Sequence, residues 1–335
     1  MGWLKTLWEK FRGEEPIDFI SIMDLPFPGD PTLATAIKAN ECYIEISVES
    51  LRLTWARRFL TKFHGAVYIG AKLARLGSQS LEIAALTKPD KLANLDPSAA
   101  DNVITLSKSL MGPIAWRGGN LDLELGLFSI KSGNVLTPLL GLVTEISKTA
   151  GVSFINQAVP FVPLIRQGLD LIAGQANDAK IEVGLDTSVP LAKSCLCAVV
   201  AAKKGSLNEA SLSVDPTDRK LLLDGKPLNQ AYCVFAIRSV AEKADFGEIP
   251  EVKDSFQSLL TAIRSNKLEN ARDALTAFRL TVIASPDLIP ADATRLNKMA
   301  EDMVRQAFPA GGTARGITAS LPASLSDVDL YTKRR

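Results

Sequence analysis

The sequence predicts an α+β fold: an antiparallel β-sandwich or barrel-like body with a helical insertion, followed by a small C-terminal helical bundle. Three observations predict it. Apolar residues recur with period two, or in short runs, through residues 17–246; the period becomes 3.6 after Phe246; and an apolar stretch of helical character interrupts the β-rich region at 134–173. At 335 residues the chain can bury a substantial core, divided between two domains or one domain and an appendage.

Residues 1–13 are the first expected element. Trp3, Leu4, Leu7, Trp8 and Phe11 share one face of an amphipathic helix, with Lys5, Glu9, Lys10 and Arg12 around the other side and Gly13 as its stop. Two of the four Trp residues of the chain lie here, and Trp suits a bilayer interface or a partner groove. Lys5, Glu9 and Lys10 break up the apolar core that a signal peptide requires. Because Glu9, Glu14 and Glu15 offset Lys5, Lys10 and Arg12, anionic lipid adds little attraction. A helix this short is marginal in water, so it needs its own domain, a sister subunit, a partner or a membrane surface to pack on.

The β-rich domain, 17–246, follows. Ile44, Ile46 and Val48 alternate with Glu45, Ser47 and Glu49; then Leu51, Leu53 and Trp55 alternate with Arg52 and Thr54, so the apolar phase slips at Ser50 and predicts a bulge or a change of partner. Further strands are expected at 66–69, 81–86, 103–110, 121–130, 180–185, 194–200, 211–214, 221–223 and 231–237, with Asp224-Gly225 as a turn. Leu121, Leu123, Leu125 and Leu127 alternate with Asp122, Glu124 and Gly126, which puts the carboxylates on the solvent side of a half-buried strand.

The insertion reads as two helices, 134–147 and 160–172, covering one open face of the body. Between Lys148 and Arg166 lie 17 uncharged residues, near the lower limit for a membrane span, but Gly151, Asn156, Gln157, Pro160 and Pro163 argue against a constitutive one. Entry of this segment into a bilayer after a trigger is the alternative.

A three-helix module is expected at 250–309. Val252, Phe256, Leu259, Leu260 and Ile263 form one stripe, Leu268, Ala271, Leu275, Phe278 and Val282 a second, and Leu296, Met299, Ala300, Met303, Val304 and Ala307 a third. The run Leu268 to Phe278, with Pro286-Asp287 after it, resembles one helix of a tetratricopeptide repeat. No second copy is visible, and a lone unit cannot build a solenoid groove, so the resemblance implies helical-hairpin packing and no peptide-binding function. Residues 310–335, with Gly311-Gly312 and Gly316, are expected to be disordered; within them Leu325, Val328, Leu330 and Tyr331 read as a short linear motif that folds on a partner.

Chemistry is sparse. Balanced charge, 38 Lys plus Arg against 37 Asp plus Glu, provides no global field to draw nucleic acid, which is therefore not an expected partner. His64 is the single histidine, in a basic-aromatic stretch that reads as a strand end or turn. Cys42, Cys195, Cys197 and Cys233 each lie in apolar runs; Cys195 and Cys197 share a strand face, but no Cys-x-x-Cys pair supports a thiolate metal site, so buried core thiols in a reducing compartment are expected. The nucleophile elbow, the dinucleotide fingerprint and the phosphate loop are all missing. Glu251-x-Lys253 has nuclease-like spacing but opens a helix, and Asp215, Asp218 and Asp224 read as a charge-compensated turn and not as a calcium rim.

These features predict a cytoplasmic, non-enzymatic interaction or assembly protein that docks by apolar surfaces, with no catalytic residues, cofactor or metal. Its partner would be another protein, a second copy of the chain or a membrane surface met peripherally. A membrane-active effector, pore-forming or membrane-disrupting, is the first alternative. The second is a metal-dependent hydrolase or nuclease built on Asp122, Glu124, Asp215 and Asp218.

Overall fold

A computed structural model describes residues 18–27, 29–54, 57–58, 61–74, 80–86, 103–131, 166–167, 170, 179–309, 321–328 and 330–331. The chain divides into two compact units: residues 1–38, 44–112 and 117–239 form one, and 39–43, 113–116 and 240–335 the other. Among the described residues the fold is mainly antiparallel sheet, with thirteen strands and three α-helices. The expected N-terminal helix, 1–13, lies outside the described residues, as does nearly all of the 134–173 insertion; the backbone is helical at 166, 167 and 170.

One five-stranded sheet has the order β1 (Phe19–Ile22), β9 (Cys195–Ala201), β13 (Tyr232–Val240), β2 (Tyr43–Arg52) and β6 (Val103–Ala115). A second runs β3 (Arg57–Arg58), β4 (Thr61–Ala74), β7 (Asn120–Lys131) and β8 (Ala179–Pro190), with β5 (Ser80–Leu86) also on β4. A small sheet contains β10 (Leu212–Val214), β11 (Leu221–Leu223) and β12 (Lys226–Pro227), the last two joined by the Asp224-Gly225 turn, where both residues have positive φ. A core of Leu196, Ala198, Val200, Tyr232, Val234 and Ala236 from β9 and β13 packs with Leu212, Val214 and Leu221 of the small sheet.

Alternation holds on β7, where Leu121, Leu123, Leu125 and Leu127 are fully buried. It fails on β2. The two runs expected to break at Ser50 form one continuous strand through Arg52, and Ser47, Glu49 and Ser50 are buried along with Ile44, Ile46, Val48 and Leu51. An interior strand covered on both faces buries its polar residues too, so the slip in apolar phase needs no change of partner. A register shift lies at Leu127/Phe128 of β7, where Glu182 of β8 is the extra residue of a bulge. Its carboxylate turns inward and accepts hydrogen bonds from the hydroxyls of Ser129 and Thr54, each at 2.5 Å.

The second unit contains α1 (Pro250–Arg264), α2 (Leu268–Ala284) and α3 (Pro290–Ala307). Proline at the start of α1 and of α3 sits where the missing N–H costs nothing. The α1 stripe is buried as read, and Phe256 meets Phe278 of α2 with ring centroids 5.8 Å apart. Leu268 and Leu275 of the second stripe and Met299 of the third are only half-buried. The unit is broader than the expected 250–309 module, because it includes 39–43, 113–116 and the chain from Val240.

The disordered-tail reading needs correction for part of its length. Leu325 opens a short 3-10 turn, Leu325–Asp327, and is fully buried. A capping box holds the turn: the Ser324 N–H and hydroxyl both donate to the Asp327 carboxylate, at 2.8 and 2.9 Å. Gly247 makes the close approach possible, since a Cβ there would stand 2.1 Å from Ser326 Oγ and 2.9 Å from its backbone N. Leu325 and Tyr331, read as contacts for a partner, are used within their own unit; Val328 and Leu330 are half-buried.

Candidate functional site

The most connected polar cluster in the second unit centres on Asp292, third residue of α3. A carboxylate in a first helical turn ordinarily faces solvent and complements the helix dipole. Here it is fully buried. The hydroxyls of Tyr43 and Tyr331 donate to its Oδ2 at 2.6 and 2.8 Å, and Arg295, one turn on, donates to Oδ1 at 2.6 Å. The Tyr43 oxygen also accepts from the Ile289 N–H at 3.4 Å, and the Tyr331 oxygen accepts from the Lys243 N–H at 2.9 Å. Arg295 lies 5.1 Å from the centre of the Tyr331 ring, and Phe246 meets that ring at 6.1 Å.

Lys243 is buried beside this cluster, its ammonium 5.8 Å from the centre of the Tyr43 ring and 3.4 Å from the Pro113 carbonyl oxygen. Burial pushes its pKa down, against the pull of Asp287, Glu248, Asp245 and Asp292. Burial and then the Asp292 carboxylate push both tyrosine hydroxyls well above their ordinary range. Chemically the arrangement is a clamp. Both carboxylate oxygens are engaged and the phenols are held neutral, so the cluster ties residues 43, 292 and 331 together and offers no poised proton acceptor.

In the first unit, Glu49 plays the corresponding part. Its buried carboxylate accepts from Arg219 and Arg238, both at 2.6 Å, and from Ser47 at 2.8 Å, and Arg238 reaches on to Asp30 at 3.3 Å. Arg219 takes a left-handed backbone conformation, φ 59°, and its guanidinium also lies 5.1 Å from the centre of the Phe27 ring. A third cluster lies across the second sheet: Tyr68 donates to Glu124 at 3.1 Å, and Arg166 pairs with Glu82 and stands 4.0 Å from Glu124. Burial raises the Glu124 pKa.

The residues of the hydrolase reading are dispersed among these contacts. Asp122 accepts from Ser188 at 2.6 Å, while Glu124 is committed to Tyr68, so the two carboxylates of β7 serve different partners. Both are half-buried and not on an open solvent face. Asp215 caps its own turn by accepting from the Thr217 and Asp218 N–H groups, which lowers its pKa, and Asp218 pairs with Lys220 at 2.9 Å. Among the described residues no group of three metal-ligating side chains occurs. His64 lies within β4, opposite Ile130 of β7, and not at a strand end. Glu251 accepts from the Ser285 hydroxyl at 3.4 Å. The cysteines are unbridged and buried, and Cys195 and Cys197 share a face as their spacing requires, with sulfurs 3.6 Å apart.

No family model matches the chain, and neither the curated proteins nor the solved structures give a match.

Sequence reading missed the Asp292 and Glu49 clusters. Lys243 lies in Ala241-Glu242-Lys243-Ala244-Asp245, which has the look of a solvated loop, and the partners of Asp292 include Tyr43, 249 positions before it. One surface feature was equally hidden. Leu280 and Ile283 of α2 are 65% and 63% exposed, while Phe278 and Val282 of the same helix are fully buried. Among the described residues no helix is long and apolar enough to cross a membrane.

Proposed function

We propose that the chain is a non-enzymatic interaction or assembly protein that docks by apolar surfaces. The observation that carries this reading is the outer face of α2, where Leu280 and Ile283 stand side by side at i, i+3 and open to solvent. The buried carboxylates support it from the other direction, since Asp292, Glu49 and Glu182 spend their acceptors on donors of their own unit. On sequence grounds Trp3, Leu4, Leu7, Trp8 and Phe11 supply a second apolar contact. The occupant is a protein, either a second copy of the chain or a different partner.

The test compares the intact chain with Leu280→Asp/Ile283→Asp by light scattering and by cross-linking in its native extract. Loss of a discrete assembly or cross-linked partner, with unchanged circular dichroism, supports the reading; identical assembly in both sinks it. A membrane-active effector is the second reading, favoured by the Trp-bearing segment 1–13. Liposome co-sedimentation with and without residues 1–13 separates the two, because vesicle binding that vanishes with the segment supports the membrane.

A further inference from the structure

Cys195 and Cys197 sit at one end of β9, side by side on the same face, their sulfurs 3.6 Å apart. On one side β13 pairs with both positions, Ile237 opposite Cys195 and Phe235 opposite Cys197. On the other side β1 reaches only to Ala198, and the chain then leaves the sheet at Asp24, in a left-handed conformation with φ 62°. Along this end of β9 that loop donates the Leu25 N–H to the Leu196 oxygen at 2.7 Å, and the Asp24 backbone also hydrogen-bonds the Cys197 sulfur. The Asp24–Lys193 ion pair, 2.7 Å long with both side chains about half exposed, ties that loop to the residue two positions before Cys195. Cys195 retains a little solvent contact at 7% exposure, whereas Cys197 has none. The pair therefore lies at a strand end, with Cys195 just reaching solvent and Cys197 beneath it.

We propose that Cys195 and Cys197 form a reversible oxidation site, in which a hydroperoxide converts the dithiol into a Cys195–Cys197 disulfide. Cys195 is the attacking sulfur, being the more exposed and the nearer in sequence to the Lys193 ammonium. Its thiolate attacks one peroxide oxygen; an S–O bond forms, the O–O bond breaks, and the departing oxygen leaves as water or an alcohol after taking up a proton. The Cys197 sulfur then attacks the sulfenic acid, the S–S bond forms, the S–O bond breaks, and water leaves with the Cys197 proton. Two thiols are oxidised and one peroxide is reduced. The hydrogen bond between the sulfurs agrees with these roles, since it lowers the Cys195 pKa and raises that of Cys197. Residues two apart on a strand are about 6.6 Å apart at Cα, at the upper end of what a disulfide spans. Closure thus needs a small pucker of the strand end, and such a bridge is easily reduced. The site is independent of the docking reading above.

The experiment uses the full chain, treated with hydrogen peroxide, alkylated with iodoacetamide under denaturing conditions, digested and read by mass spectrometry. The expected result is a peptide containing Cys195 and Cys197 that has lost two hydrogens and carries no label, restored by dithiothreitol, with Cys42 and Cys233 fully labelled. A disulfide to any other cysteine, or sulfinic acid at Cys195 with Cys197 still free, overturns the proposal. Cys197→Ser should leave Cys195 as a dimedone-reactive sulfenic acid. Lys193→Met should slow oxidation roughly tenfold by removing the ammonium near the thiolate, and Lys193→Arg should restore it; equal rates in all three overturn the assigned role of Lys193. The wild-type measurement needs no variant to fold.

Discussion

The Tyr331 hydroxyl donates a 2.8 Å hydrogen bond to Oδ2 of Asp292, the same oxygen that accepts from Tyr43. Tyr331 and Tyr43, the first residue of β2, therefore share a single buried acceptor at the start of α3. Two hydroxyls converging on one carboxylate oxygen require the third group, Arg295 on Oδ1, to balance the charge. Removing one donor and removing the acceptor are thus unequal events.

Tyr331→Phe leaves Asp292 with Tyr43 and Arg295 and should cost about 1 to 2 kcal/mol, whereas Asp292→Ala strands the buried Tyr43 hydroxyl, the half-buried Tyr331 hydroxyl and the Arg295 guanidinium and should cost about 3 to 5 kcal/mol. Urea unfolding of the two variants and their double mutant checks this. The double mutant should lose less than the sum, because both changes break the same bond.

Gly247→Ala places a methyl group 2.1 Å from Ser326 Oγ and 2.9 Å from the Ser326 backbone. Overpacking of this kind costs about 1 to 3 kcal/mol, and it should be relieved by displacement of the segment around Leu325 while the helices keep their fold. Limited proteolysis should cut between residues 321 and 331 faster in the variant, with helicity by circular dichroism unchanged.

Glu49→Ala removes the carboxylate shared by Arg219 and Arg238 and leaves two cations facing one another beneath the surface. Destabilisation of about 3 to 5 kcal/mol is expected, with little salt dependence because the carboxylate is buried. Denaturant midpoints at low and high salt measure both.

Alkaline pH should weaken the second unit through Tyr43. Its folded pKa is raised above the ordinary value of 10.0 by burial and by Asp292. Above that value the unfolded chain gives up the phenolic proton while the folded one keeps it, so stability present below pH 10 is lost as pH rises, by up to about 1.4 kcal/mol per pH unit. Tyr43→Phe should flatten this alkaline limb while lowering stability at neutral pH. An unchanged slope above pH 10 would show that the hydroxyl is not held neutral.

Much of the architecture was legible because sheet and helix leave different periods in the chain. The alternating leucines of β7 and the stripe of α1 appear where their spacing puts them. The same rule misread Glu49. It alternates with Val48 and looks solvent-facing, but β2 is an interior strand buried on both faces, and Glu49 is neutralised by arginines 170 and 189 residues away. Local pattern reports which positions are polar and says nothing of which distant cations will cover them.

By itself the sequence determined that this is a charge-balanced chain with strands first and three helices near its end, with thiols in apolar runs and no familiar catalytic motif. Only the tertiary structure decided that Asp292 gathers Tyr43 and Tyr331, that Leu325 is core, and that Leu280 and Ile283 are left outside. The physical reason is range: periodicity arises from neighbours within one turn or one pleat, whereas burial of a charge or exposure of a leucine depends on which remote segments arrive to cover it.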